Sequence, residues 1–325
     1  MTEVIARPSE VAIAEQRRGR RAVAPGRPPR RRTLGTSPLW ALVFIGPTAL
    51  GLGIFFLWPA IRTLILSFTE SGPFGGSVWV EFENYQRLFA DPDFYANLRN
   101  TAIYALIVLL GIPISIVIAA LLNTSGLKGR GIYRTLYFIP VVTMPAAYAL
   151  VWKLIYNGDF GVLNSALKPF GIDGPSWLTT NSTVLIAIAV VGIWAGLGTN
   201  IVIFLAGLQS IPDSSLEAAE LDGAGPIRKF ISITVPLLSP SIFLVTVLAV
   251  INALQVFDLV YLMLHPRQSN PAVPSARTMV YSFYEAGFMS NERGYAAAIG
   301  IVLFVIVLIL TIVQFRMQKK WVHYE

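Results

Sequence analysis

The sequence predicts an all-α integral membrane protein with six transmembrane helices, and three observations carry that prediction. First, 54% of the 325 residues are hydrophobic and only 13% are charged, a balance that would leave a water-soluble fold with large exposed apolar patches. Second, six uncharged runs are each long enough to cross a hydrocarbon core, which takes about 20 residues of helix. Third, Lys and Arg are distributed unevenly among the segments joining these runs, as a fixed membrane orientation requires. There is no cysteine, so disulfides and thiolate metal sites are excluded.

In chain order, Met1 to Arg32 carries RRGRR and RPPRRR, with nine Arg against three acids. Residues 1–35 are therefore expected to be a disordered basic cytoplasmic tail, and residues 36–325 a single six-helix transmembrane domain. The net charge of +7 is concentrated in that tail rather than on a folded face, so nucleic acid is not an expected partner. Attraction of the tail to anionic lipid ranks below a plain orienting role. The long basic region, the long apolar run after it and the lack of an A-x-A-like site favour an uncleaved signal anchor over a signal peptide.

The runs are Thr33 to Ile61, Asn100 to Leu127, Thr135 to Trp152, Gly174 to Pro212, Phe230 to Phe257 and Gly294 to Phe315. Allowing for loops at their edges, the helices are expected at 38–66, 98–123, 132–156, 183–209, 237–263 and 294–318. The third is the shortest and continues past Lys153, whose ammonium can snorkel to the interface. The tail, the loop with Lys128, Arg130 and Arg134, and the C-terminal Arg316, Lys319 and Lys320 fall on one side, which is then the cytoplasm. Glu70 to Asp93, with five acids and one Arg, lies outside. The loops with Arg228 and Lys229 inside and with Arg267, Arg277 and Arg293 outside fit this less well.

Between the fourth and fifth runs lies a polar interruption, Ser210 to Pro240, placed in the cytoplasm by this count. Its punctuation predicts two short helices joined by a glycine turn. Pro212 suits a first helical position, Asp213 and Ser214 can accept from free backbone N–H groups, and Gly223 can take the left-handed conformation that ends a helix. Pro226 opens the second helix, with Ile227, Phe230 and Ile231 on one apolar face. Ala218, Ala219 and Ala224 leave room for another backbone to approach. A generic hairpin, or a mimic of a DNA-reading helix pair, is the plainer interpretation; the net negative charge and the membrane span at each end favour partner docking.

The chemistry absent from the chain is equally informative. No G-x-x-x-x-G-K-[ST] occurs, nor any Gly-Lys pair, so the chain cannot cradle nucleotide phosphates in a P-loop. His265 and His323 are too far apart for a local metal pair, and no nucleophile and base pairing stands out. The chain is not expected to be an enzyme by itself, and no metal site is expected.

The pattern E-A-A, D-G-A, Phe and I-T-x-P stands here as Glu217-Ala218-Ala219, Asp222-Gly223-Ala224, Phe230 and Ile233-Thr234-Val235-Pro236. On these residues the chain resembles permease subunits of binding-protein-dependent ABC importers of the carbohydrate type, the maltose and glycerol-phosphate permeases being relatives. NYQRLFADPDFYANLRNT, GRGIYRTLYFIP, NGDFGVLN, VFDLVYLM and GYAAAIGIVLF agree, so the resemblance runs from about Leu39 to the C-terminus. It implies a type I importer permease fold whose coupling segment, 210–240, sits in a cleft of an ATPase subunit. Glu217 would meet polar or basic groups there, Gly223 would make the turn, and Ala218, Ala219, Asp222, Phe230 and Pro236 would complete the coupling set. The partners so implied are a second homologous permease subunit, two cytoplasmic ATPase subunits that hold ATP and Mg, and an extracytoplasmic solute-binding protein. No cofactor would sit on this chain, and its place would be the bacterial or archaeal cytoplasmic membrane with both termini inside. One departure is visible: where relatives often carry T-x-G-G-P, this chain reads LMLHPRQSNPAVPS, which bears on how the solute receptor docks.

Polar residues within spans mark the candidate solute pathway. Asn200 on the fourth span and Asn252, Gln255 and Asp258 on the fifth are the candidates, with Trp194 or Tyr148 as rings for a sugar to stack on. Asp258 falls roughly 30 Å along the helix from Leu237, so anchoring at the outer interface is as good an account of it. Interhelical hydrogen bonding is an equal alternative for each residue. Gly192, Gly196 and Gly198 would serve either close helix contact or space for the solute. The runner-up function is a non-transporting membrane scaffold with the same fold; a glycerol-phosphate or polyol importer is the alternative in substrate. A secondary transporter ranks third, since mid-span ion-coupling carboxylates and paired repeats are not evident.

Overall fold

The computed structural model describes residues 38–71, 76–124, 126–264 and 270–322. The tail at residues 1–35, the histidines His265 and His323, and Arg267 lie outside the described residues. The chain divides into two units, Met1–Trp58 and Pro59–Glu325.

In the first unit, α1 (Pro38–Leu52) runs into a π turn at Gly53–Leu57. The second begins within α2 (Trp58–Leu66) and continues through a short antiparallel pair, β1 (Thr69–Ser71) and β2 (Ser77–Trp79), with Thr69 opposite Trp79. There follow α3 (Glu83–Ala90), α4 (Pro92–Leu109), α5 (Gly111–Asn123), α6 (Arg130–Val142), α7 (Pro145–Ile155) and α8 (Val162–Leu167). Then come α9 (Val184–Gln209), α10 (Asp213–Leu221), α11 (Pro226–Lys229), a π turn at Phe230–Thr234, α12 (Val235–Leu237) and α13 (Ser239–Leu254). The chain ends with α14 (Asp258–Leu264), α15 (Val273–Ala276), α16 (Met279–Tyr284), a π turn at Glu285–Met289 and α17 (Arg293–Trp321).

Among the described residues, four helices are long and apolar enough to cross a membrane unbroken, and two bent pairs bring the number to six. The sequence expectation is corrected in three places. The second span starts at Pro92, not near residue 98, because the Asp91 carboxylate accepts from the Asp93 N–H and Pro92 suits the first turn. The third bends by 106° between α6 and α7, since Met144 precedes Pro145 and is pushed to an extended ψ of 138°. The fifth, expected as one helix over 237–263, bends by 68° at Leu238 and then breaks between Leu254 and Asp258.

The π turns at 53–57 and 230–234 share a cause. Each ends two residues before a proline, Pro59 and Pro236, whose missing N–H leaves a carbonyl one turn back without its helical partner. The widened turn is closed by the Trp58 N–H on the Gly53 carbonyl and the Val235 N–H on the Phe230 carbonyl.

Within the second unit α9 is central, packing on α4, α5, α6 and α13. Its Val184, Ile188 and Val191 join one apolar core with Val260 and Tyr281, and its Ile201, Phe204 and Leu208 join another with Ile116 and Leu238. Outside the apolar cores, buried amides do the fastening. Asn84 Nδ2 donates to the Ser67 and Thr69 carbonyls, and Asn100 Nδ2 donates to the Pro274 and Arg277 carbonyls. Asn97 donates to Ser282 Oγ at 2.7 Å, while Thr101 Oγ1 accepts from the Met279 N–H at 2.9 Å. The stretch NYQRLFADPDFYANLRNT is thus a seam that ties α3 to the chain around β1 and α4 to the segment before α17.

Candidate functional site

The interruption at 210–240 folds as a capped helical turn. At the end of α10 the Ala224 N–H donates to the Ala219 carbonyl and the Gly223 N–H to the Glu220 carbonyl, at 2.9 and 3.0 Å. This is a Schellman arrangement, and it demands the positive φ of Gly223, 73°. Glu220 pairs with Lys229 across the turn, which fixes α11 against α10. The expected capping at the helix start is absent: Pro212 is the cap residue itself, with Asp213 first in the helix, and no side chain accepts a capping bond there. With ψ 132° at Pro212, the carboxylate of Asp213 sits within the first turn and acts on the helix dipole instead.

The two faces of this turn are sharply different. Leu221, Ile227 and Ile231 are 89%, 73% and 60% exposed, and Glu217, Ala218, Asp222 and Gly223 are exposed beside them. Ala219, only 5% exposed, faces inward, so its small size serves packing within the chain rather than approach by a partner. Phe230 also turns inward, against the core that holds Leu208 and Leu238, while Ile227 and Ile231 point away from it. Pro236 is half-buried in α12. Leu216 and Phe230 thus join the turn to α9 and α13 through one packed cluster.

The polar span residues divide into two groups. Gly196, Asn200 and Asn252 line a cavity of about 210 Å³ between α4, α9 and α13, together with Tyr104 and Thr199. Tyr104 and Thr199 were not singled out from sequence; the only signal for Tyr104 was a hydroxyl-bearing ring in an apolar run. Trp194 leaves α9 on a different face, because two residues advance a helix by about 200°. There it meets Tyr148 and Trp152 of α7, both with ring centroids 5.8 Å away. Gln255 and Asp258 lie at the break in the fifth span, both exposed, and α14 packs against α7. Beside the break, Phe257 lies 5.2 Å from Tyr261 and 4.9 Å from Tyr284.

Toward the outer end by the charge count, Arg277 pairs with Asp93 at 3.3 Å and Glu285 at 3.2 Å, and Arg87 pairs with Glu292 at 2.8 Å. Burial first, and the Glu285 carboxylate next, hold the Tyr281 hydroxyl above its ordinary pKa. Between α7 and α9, Asn164 Nδ2 donates to the carbonyls of Gly158, Gly174 and Pro175, and Asn164 Oδ1 accepts from Trp177 Nε1 at 2.7 Å. Among the described residues, no group of three or more His, Asp or Glu side chains could hold a metal ion.

Residues 111–323 match the family described as the binding-protein-dependent transport system inner membrane component. The chain belongs to that family. It is 34% identical over 283 residues to the arabinooligosaccharides transport system permease protein AraP of Bacillus subtilis (strain 168), covering 86% of this chain and 88% of that one. It is 33% identical over 276 residues to the sn-glycerol-3-phosphate transport system permease protein UgpA of Yersinia pestis bv. Antiqua (strain Antiqua), covering 84% and 91%. Among solved structures, a chain of a bacterial ABC transporter involved in import of the acidic polysaccharide alginate superposes with a TM-score of 0.76 at 25% identity, covering 87% of this chain and 95% of that one. The chain is thus a permease subunit of the ABC-importer type and carries its fold, as the coupling pattern implied.

Proposed function

We propose that this subunit translocates a sugar or sugar-like solute inward, by alternating access driven from two cytoplasmic ATPase subunits. Those subunits hold ATP and Mg; this chain holds neither and is not an enzyme. A second homologous permease completes the membrane channel, and an extracytoplasmic solute-binding protein delivers the solute. The chain sits in a bacterial or archaeal cytoplasmic membrane with both termini inside.

The observation that carries this reading is the two-faced turn at 213–231. Leu221, Ile227 and Ile231 are left without an apolar partner in water, beside Glu217 and Asp222, while Leu216 and Phe230 are packed on the spans behind them. A partner seated on the outer face would move α9 and α13 with it, and those helices carry Trp194 and the cavity residues Gly196, Asn200 and Asn252. A lever needs such a rigid joint, and the Schellman turn with the Glu220–Lys229 pair supplies one.

ATP-driven uptake in membrane vesicles of the assembled complex tests the proposal. Gly223→Pro cannot adopt the 73° φ of the turn and should abolish uptake, whereas Gly223→Asn, which tolerates that conformation, should retain most of it. Glu217→Lys should reduce uptake at least about tenfold with unchanged membrane level, the size of one lost charged hydrogen bond. Undiminished uptake in Gly223→Pro sinks the coupling role, and a complex without receptor-stimulated ATP hydrolysis is a scaffold instead.

A further inference from the structure

Helices α6 and α9 meet at one level and part below it. A Cβ at Gly198 would lie 2.4 Å from the Tyr137 carbonyl oxygen, so the two backbones touch there. Toward the end that the charge count places in the cytoplasm they leave a groove of about 310 Å³. Phe138 of α6 and Ile201, Val202 and Leu205 of α9 line it, and Arg134 and Gln209 stand at its mouth. From Gly198 to Gln209 α9 rises about 16 Å, close to one leaflet of a hydrocarbon core about 30 Å thick. A second hollow of about 300 Å³ follows the neighbouring strip of α6, through Ile139 and Val142, and shares Arg134 and Phe138 with the first. Two apolar channels therefore border Phe138 and converge on one guanidinium.

The charge at this convergence is uncompensated. Neither hollow is lined by an Asp or Glu, and Arg134 is exposed with no ion-pair partner among the described residues. One turn earlier on the same strip, Arg130 Nη2 donates to Asn123 Oδ1 at 3.3 Å, while its buried Nε has no hydrogen-bond partner among the described residues. A buried donor left over in this way calls for an acceptor that the chain does not itself supply. Arg130 also opens α6, where the helix dipole adds to the positive potential instead of opposing it.

The shape then decides the occupant. A helix about 10 Å across and 16 Å long fills over about 1,000 Å³, several times the groove, whereas extended acyl chains are slender enough to lie in it. The head group must be an anion, and the cytoplasmic leaflet is the one rich in anionic lipid.

We propose that the groove between α6 and α9 is a binding site for an anionic phospholipid of the cytoplasmic leaflet, its phosphate on Arg134 and Arg130 and its acyl chains on either side of Phe138. The site is separate from the cavity at Asn200 and Asn252 and from the turn at 213–231.

Photolabelling of the assembled complex in vesicles tests it, with phosphatidylglycerol and phosphatidylcholine carrying the same diazirine-bearing chains, and with labelled peptides mapped by mass spectrometry. Wild-type labelling should fall on residues 134–142 and 198–209 and be at least about fivefold stronger with phosphatidylglycerol. That factor corresponds to the roughly 1 kcal/mol that one basic residue contributes near an anionic surface. Arg134→Gln should lower phosphatidylglycerol labelling about fivefold and leave phosphatidylcholine unchanged. Val202→Trp fills the groove and should lower labelling by both lipids. Arg316→Gln, exposed at the cytoplasmic end of α17, should change neither. Unlabelled phosphatidylglycerol should compete, and inorganic phosphate, which lacks chains, should not. If Arg134→Gln fails to assemble, the lipid ratio and the phosphate competition still decide the matter in the wild type. Equal labelling by the two lipids, displacement by phosphate, or an equal loss in Arg316→Gln would each overturn the inference. So would an unlabelled groove in the assembled complex, the result expected if the second permease covers it. Labelling needs neither ATP nor solute, so its failure leaves the permease reading standing.

Discussion

Glycine positions in the fourth span show how one residue type performs two tasks. A Cβ at Gly198 would run into the Tyr137 carbonyl oxygen, and one at Gly192 into the Tyr104 hydroxyl, so both permit close packing of α9. At Gly196 the nearest atom is Asn200 Nδ2 at 4.0 Å, so that glycine leaves open space. Gly198→Ala should therefore push α6 off α9 and lower the melting temperature in detergent, a cost of about 1–3 kcal/mol for an overpacked site. Gly196→Ala should leave the melting temperature within error. Asn164, 3% exposed, argues the same way for polar contacts: Asn164→Ala strands the Trp177 N–H and the half-buried carbonyls around it. About 2 kcal/mol should be lost, with faster proteolysis of the 157–183 loop. Such roles were not legible in sequence. Asn164 stood inside the quoted NGDFGVLN, but its partners depend on how the loop closes, and Asn97 finds Ser282 from 185 residues away.

Helical elements were legible wherever apolar length decides them, and illegible wherever backbone hydrogen bonds fail. All six runs became spans or bent pairs, and Gly223 and Pro226 marked the turn between α10 and α11. The bend before Pro145 follows from a rule readable in the sequence, yet an uncharged run conceals it. The break at 255–257 has no proline or glycine to announce it. Its trace was the cluster Asn252, Gln255 and Asp258, whose spacing fits a continuous helical face equally well. The π turn before Pro236 supports a prediction about coupling. Restoring the missing N–H in Pro236→Ala lets Phe230–Leu237 close as a regular α-helix, which removes one residue of slack and rotates the joint by about 100°. ATP hydrolysis by the complex should persist while solute uptake per ATP falls, and an unaltered ratio would show that the widened turn has no part in transmission.

At the scale of the whole molecule the decisive quantity is which side the turn at 213–231 faces. Orientation was inferred from Lys128, Arg130 and Arg134 and from Arg316, Lys319 and Lys320, against an acidic segment at 70–93. The absence of cysteine makes a direct test clean, since a single introduced thiol is the only one on the chain. Ser214→Cys, exposed at the start of α10, should react with a membrane-impermeant maleimide only after cells are opened. Asn181→Cys, exposed in the loop before α9, should react in intact spheroplasts. The two sites bracket one span, α9, so they must label from opposite sides in any membrane arrangement. Which of them labels first therefore carries all the information. The reverse order would place Leu221, Ile227 and Ile231 outside the cell, out of reach of any ATP-driven subunit, and the lever argued from Gly223 and Pro236 would lose its engine.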